Sequence, residues 1–123
     1  MDILLDTHAV IWWLADSTEL PELWVQEFSK TTNSCFVSSA SIWEIAIKSS
    51  LGKSTIPQNY TTILKSQGFI PLPVSWIHAH AVATLPMHHR DPFDRLLIAQ
   101  AMNDNMLLAS RDAIMQEYPV RLL

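Results

Sequence analysis

The stretch His88-His89-Arg90-Asp91-Pro92-Phe93-Asp94-Arg95-Leu96-Leu97-Ile98-Ala99-Gln100-Ala101 does two jobs at once. From Phe93 onward it reads as a helix. Pro92 suits a first helical position, Asp91 can cap, and Asp94 completes an acidic first turn. Apolar residues at 93, 96, 97, 98 and 101 are dense enough to bury most of one side. The opening turn, however, sets two carboxylates, two arginines and two histidines against that apolar wall. Partial positive charge at a helix start can hold an anion, so one acid there needs no further reason. Whether the rest of the arrangement does depends on where the other acids of the chain fall.

Outward from this helix, the chain alternates short apolar runs with amphipathic ones. Strands are predicted at 2–6, 34–38, 106–109 and 120–122, with an extended Phe69–Pro73 whose prolines suit a sheet edge. Helices are predicted from Thr7 to about Ala15, over about 21–31, over Ile42–Lys48, from Pro57 to the closing Gly68, from Ser75 to about Thr84, and from Pro92 to about Asn103. Residues 51–56 read as a loop, and Ser110-Arg111-Asp112 opens a short last helix. This order predicts a single α/β domain over 1–123, a sandwich around a mostly parallel sheet with right-handed crossovers. The first helix is apolar nearly all round at Ala9, Val10, Ile11, Trp12, Trp13 and Leu14, which predicts contacts beyond one sheet face and self-association.

Composition bounds the function classes. The chain has 123 residues, 49% hydrophobic and only 16% charged, so a well-filled interior is expected and disorder is not. A single cysteine, Cys35, permits no internal disulfide and fits a reducing compartment. Met1–Asp6 has no basic region and too short an apolar run for a signal peptide. No apolar stretch approaches the ~18 residues of a membrane span. A soluble, cytoplasmic protein is expected. The net charge of −4 argues against broad nonspecific nucleic-acid binding, but not against a nuclease whose carboxylates are covered by metal.

The predicted topology locates the acids. Asp6 follows the first strand, Glu44 lies on the helix after the second, and Asp112 follows the strand at 106–109. Asp94 begins the helix that runs back to feed that same strand. All four fall at the carboxyl edge of the sheet, where open α/β folds place their sites. Singly, each has a modest explanation: Asp6 and Asp112 can cap helices, and Ser41-x-x-Glu44 has capping-box spacing. Glu44 can also pair with Lys48 at i, i+4.

Together they are harder to dismiss, because unit charges ~4 Å apart repel by several kcal/mol at an effective dielectric near 20. Mg²⁺ or Mn²⁺, hard cations that prefer oxygen, would relieve this. Such a site suits phosphodiester cleavage. Asp6 and Asp94 are expected as central ligands, with Glu44 and Asp112 completing the shell. Arg90, Arg95 and Arg111 are candidates for backbone phosphate. Asp91 reads as a cap rather than a ligand; His88 and His89 are candidates to touch phosphate or metal, but a pair of loop histidines is more often just solvated. Trp12, Trp13 and Trp43 read as core or partner surface. Ser38, Ser39 and Ser41 read as turn and cap residues.

Leu5-Asp6-Thr7-His8, Ser41-Ile42-Trp43-Glu44-Ile45-Ala46-Ile47-Lys48, His89 to Ala101 and Ser110-Arg111-Asp112 occur in the order and spacing of a PIN-domain protein. The chain resembles the VapC-type toxins of bacterial toxin–antitoxin pairs over nearly its whole length. The resemblance implies the PIN-like three-layer sandwich and a Mg²⁺- or Mn²⁺-dependent endoribonuclease that is inhibited by a small antitoxin and dimeric. The family's acidic quartet maps onto Asp6, Glu44, Asp94 and Asp112. Ser110 stands where a threonine is common and keeps the hydroxyl toward substrate. The competing reading is a non-catalytic acidic module, either a degenerate PIN domain or a receiver-like domain. A receiver would want its acceptor aspartate at the end of a mid-chain strand, and Phe69–Pro73 ends in no acid. Retention of all four acids disfavours a degenerate site.

Overall fold

The computed structural model describes residues 1–53 and 55–123; Ser54, in the loop expected at 51–56, lies outside the described residues. Four strands, β1 (Asp2–Leu5), β2 (Ser34–Ser38), β3 (Ile70–Leu72) and β4 (Leu107–Ala109), form a sheet in the order β3-β2-β1-β4. Every pairing is parallel. The sheet is flanked by α1 (Thr7–Leu14), α2 (Glu22–Ser29), α3 (Ser39–Ser50), α4 (Tyr60–Ser66), α5 (Trp76–Ala81) and α6 (Pro92–Asn103). This is the α/β, mostly parallel architecture that the alternation predicts.

The period of two along each strand builds the layers. Ile3 and Leu5 of β1, with Cys35 and Val37 of β2, face one apolar cluster with Val10, Trp24, Phe28 and Leu64. Leu4 and Leu108 face the other, with Leu97, Ile98, Ala101 and Met115. Burial pushes the Cys35 thiol up to about 11, so it stays a neutral core group. Much of the apolar girth of α1 is satisfied within the chain. Trp13 packs edge-on to Phe69 at 5.2 Å between ring centroids, and its Nε1 donates to Gln67 Oε1 at 2.7 Å.

Several elements differ from the pattern-based reading. Helix α3 begins at Ser39 because Ser38 is the N-cap, accepting from the Ala40 amide at 3.0 Å. Ser41 therefore lies inside the helix, fully buried, and Glu44 sits on its body rather than in a capping box. Helix α4 starts at Tyr60, after a turn in which the Tyr60 amide donates to the Pro57 carbonyl. The strand expected at 120–122 is a single parallel bridge, Leu108 to Leu122. After Ser110-Arg111-Asp112 the short helix is a 3-10 turn, Ala113–Glu117. Among the described residues, no helix is long and apolar enough to cross a membrane.

The strand order fixes where a site can form. From β1 the chain moves outward to β2 and β3, then returns to the other side of β1 as β4. Helix α1 leaves β1 toward the first cluster, whereas the segment after β4 buries Met115 in the second. The chain thus leaves the neighbouring strands β1 and β4 toward opposite sides at their carboxyl ends, the position at which open α/β folds place their sites.

Candidate active site

Asp6 and Asp112 follow the two strands that diverge there, β1 and β4. The Asp6 amide donates to the Ala109 carbonyl at 3.1 Å, which ties the end of β1 to the end of β4. Both acids do cap. Asp6 Oδ1 accepts from the Ala9 amide at 2.8 Å and Asp112 Oδ1 from the Ile114 amide at 3.0 Å. A carboxylate has two oxygens, however, so capping with one leaves the second for other work. Asp112 spends its second on His89, with Oδ2 2.8 Å from Nε2. Capping and function are therefore compatible at these positions.

Asp94 and Glu44 arrive on α6 and α3. Asp91 is the N-cap of α6, accepting from the Phe93 and Asp94 amides at 2.8 and 3.2 Å, and this sets Asp94 in the first turn. Glu44 pairs with Lys48 through Oε2 at 3.3 Å, the expected i, i+4 contact. Its other oxygen, Oε1, is buried and has no hydrogen-bond partner among the described residues. A buried carboxylate oxygen without a donor is costly unless something else meets it.

The residues beside the acids hold these helices together. Thr7, next to Asp6, donates through Oγ1 to Ser41 Oγ at 3.0 Å, a buried bond between α1 and α3. Trp43, next to Glu44, packs edge-on against Phe93, next to Asp94, with ring centroids 5.2 Å apart.

The charges feel one another. Asp94 is pushed up to about 6, first by burial and then by the charge of Asp91; His89 opposes this, while Asp6 and Glu44 add to it. The Asp6 carboxyl is also raised, chiefly by burial. A Ser110 hydrogen bond, the Ala9 amide and the His8 charge pull it back, and Asp112 pushes it further up. Asp6, Glu44, Asp94 and Asp112 are thus brought into one electrostatic neighbourhood, and ligand atoms of His89, Asp94 and Asp112 lie within 4.8 Å of one another.

The basic residues divide. Arg95 is buried, and its guanidinium is spent on main-chain carbonyls: Nη1 on Pro86 at 2.9 Å and His89 at 3.4 Å, Nη2 on Val82 at 3.0 Å and Leu85 at 3.3 Å. It is a clamp on the loop before α6, which corrects its reading as a phosphate contact. Arg111 is half exposed, donating to the Glu19 carbonyl at 3.0 Å with its guanidinium carbon 6.0 Å from the Trp12 ring centre. Arg90 is exposed and makes no hydrogen bond or ion pair among the described residues. Ser110 is buried, and its Oγ accepts from the Asp112 amide at 3.2 Å.

His88 is exposed beside the Tyr118 ring, as expected. His89 is not a solvated loop residue. It is 8% exposed, with Nε2 2.8 Å from Asp112 and 3.1 Å from Asp94.

Such a cluster of acids at the carboxyl edge of an all-parallel sheet can be set beside known proteins. Over residues 3–120 the chain matches the PIN domain. The chain belongs to the PIN domain family. Solved structures share its fold at low identity. VapBC2 from Rickettsia felis, bound to a DNA fragment from its promoter, aligns at a TM-score of 0.72 and 16% identity, covering 100% of this chain and 97% of that one. A toxin–antitoxin complex from Klebsiella pneumoniae aligns at 0.69 and 17%, covering 98% and 96%. FitAcB from Neisseria gonorrhoeae aligns at 0.64 and 15%, covering 98% and 96%. No curated protein matches the chain.

The residues of this PIN domain fit a hard divalent cation. The acids supply oxygen donors, Glu44 Oε1 lacks a partner among the described residues, and the repulsion that adds to burial in raising Asp94 is the kind a cation relieves.

Proposed function

We propose that this protein is a metal-dependent endoribonuclease and the toxin of a bacterial toxin–antitoxin pair. The observation that carries the proposal is the gathering of carboxylates: Asp94 is raised first by burial and then by Asp91, with Asp6 and Glu44 adding to it, and a buried Glu44 oxygen has no donor among the described residues. Asp6, Glu44, Asp94 and Asp112 are the catalytic and metal-holding residues. Mg²⁺ or Mn²⁺ is the cation, being small, hard and suited to carboxylates. When bound, it supplies the counter-charge and polarising power that phosphodiester hydrolysis needs.

The chain's own residues do the rest. The amides of Ala9 and Ile114 hold Asp6 and Asp112 each by one oxygen, so the carboxylates are oriented before substrate arrives. Ser110 hydrogen-bonds Asp6, and its hydroxyl is assigned to substrate. Arg90 and Arg111, flanking the cluster in sequence, take backbone phosphate. Arg95 is left out of this, because its Nη1 and Nη2 are engaged by the loop carbonyls.

The partners follow from the same reading. RNA is the substrate, a cognate antitoxin is the inhibitor, and a homodimer is the working form in the cytoplasm. Toxin–antitoxin complexes among the structures of similar fold support the antitoxin. The test is cleavage of structured RNA by purified protein with Mg²⁺ or Mn²⁺. Activity is expected with either ion and is abolished by Asp6→Asn or Asp94→Asn in a folded protein. Full activity in excess EDTA, or in either variant, would overturn the reading. Absence of all cleavage would favour a binding module.

A further inference from the structure

His89 is held at every polar atom it has. Its amide donates to Tyr118 Oη at 2.8 Å, and its carbonyl accepts from Arg95 Nη1 at 3.4 Å. Its ring Nδ1 accepts from the Asp91 amide at 3.1 Å. A backbone amide can only donate, so Nδ1 carries no proton and the ring N–H is Nε2. That N–H faces two acids, 2.8 Å from Asp112 Oδ2 and 3.1 Å from Asp94 Oδ2. The carrier of the ring is rigid too, because Tyr118 Oη donates to the same Pro86 carbonyl that Arg95 holds, at 2.7 Å.

We propose that His89 is a positioning residue of the carboxylate site: its Nε2–H fixes Asp112, on the segment after β4, and Asp94, on α6, at the mutual placement in which they hold a divalent cation. The inference rests on the metal-dependent reading above and adds a residue to it. Two acids on different elements have no covalent reason to keep their spacing, and only one ring bridges them among the described residues. Losing a partner that orients a metal-holding group typically costs about ten- to a hundred-fold in metal affinity.

His78 is an internal comparison. Its Nδ1 accepts from the Ser75 amide at 3.1 Å and its Nε2 lies 3.0 Å from both oxygens of Asp104. The ring carries the same tautomer on a single acid, at the far end of α6 from Asp94. His78 is therefore expected to serve packing alone.

Two substitutions separate the roles of the ring. His89→Asn keeps an acceptor where Nδ1 stood and loses the Nε2 donor; His89→Gln places an amide N–H where Nε2 stood and loses the acceptor. Mn²⁺ titration calorimetry without RNA is expected to show H89N binding about ten- to a hundred-fold more weakly than wild type. H89Q should keep more of the affinity, and H78N all of it. In wild-type protein, imidazole ¹⁵N shifts should show Nε2–H tautomers at both histidines. Electron spin-echo spectroscopy of bound Mn²⁺ should show no directly coordinated ¹⁴N.

Folded H89N with wild-type Mn²⁺ affinity would overturn the positioning role while leaving the metal reading standing. A directly coordinated ring nitrogen, or an Nδ1–H tautomer, would overturn it on wild-type protein alone, whether or not the variants fold. A wild type without Mn²⁺ affinity would remove the metal reading and this inference with it.

Discussion

Trp43 and Phe93 meet edge to face, with ring centroids 5.2 Å apart and planes at 73°, and each is the chain neighbour of an acid. Trp43 is nevertheless 62% exposed, so little of its packing is spent on the core. The contact acts as a brace between α3 and α6 that sets the gap between Glu44 and Asp94. An aromatic pair of this kind stabilises by about 0.5–1.5 kcal/mol beyond its buried area. Trp43→Ala is expected to lower stability by about 1 kcal/mol and weaken Mn²⁺ binding, while Trp43→Phe retains most of both. Urea unfolding with a parallel Mn²⁺ titration checks this. Unchanged affinity in W43A would show that the brace does not reach the acids.

Arg95 sets a second expectation. Its side chain satisfies four carbonyls between Val82 and His89, and Tyr118 closes the same knot. A lysine brings one ammonium in place of a planar fork and leaves several of these carbonyls unpaired. Arg95→Lys should cost about 2–4 kcal/mol and Tyr118→Phe about 1–2 kcal/mol. Chemical denaturation measures both. If R95K were as stable as wild type and instead lost RNA affinity, Arg95 would be a phosphate contact after all.

Asp94 gives a pH dependence whose sign can be worked out. Its folded pKa is about 6 against an ordinary 3.8, with burial first and Asp91 next as the causes. Between those values the folded chain holds a proton that the unfolded chain has released. Its contribution is full below the ordinary value and lost as pH rises through about 6. At pH 7.5 without metal, Asp94→Asn should therefore stabilise the protein, by on the order of 1 kcal/mol after allowing for solvent screening, or several degrees in Tm. At pH 3.5 the difference should close. Added Mn²⁺ should raise the Tm of wild type more than that of the variant. Thermal melts at the two pH values decide it, and a D94N protein less stable at pH 7.5 would contradict the account.

The parts of this structure that depend on local pattern were legible in the sequence. The alternating apolar runs gave the strands, and the 91–94 cap gave the start of α6. The convergence of Asp6, Glu44, Asp94 and Asp112 followed from topology, because a parallel sheet sends every strand end to one edge. Through-space partners left no local mark. Ser41 has the look of a cap and is instead bound to Thr7, 34 positions away. His88 and His89 are equivalent in sequence, yet His88 stays exposed at the edge of the Tyr118 ring, whereas His89 is buried with its amide on Tyr118 Oη and its ring on Asp112, 29 and 23 positions on. Arg95 reads as a surface cation beside two acids; only the folded loop brings carbonyls around it. In each case a long-range contact overrode a local preference.

The central claim is that the carboxylates of Asp6, Glu44, Asp94 and Asp112 together hold a divalent cation. The most direct test is anomalous scattering from a crystal soaked in Mn²⁺. The account predicts a manganese peak bounded by these carboxylates, lost in Asp94→Asn. Manganese bound elsewhere, or none at millimolar Mn²⁺, would contradict it.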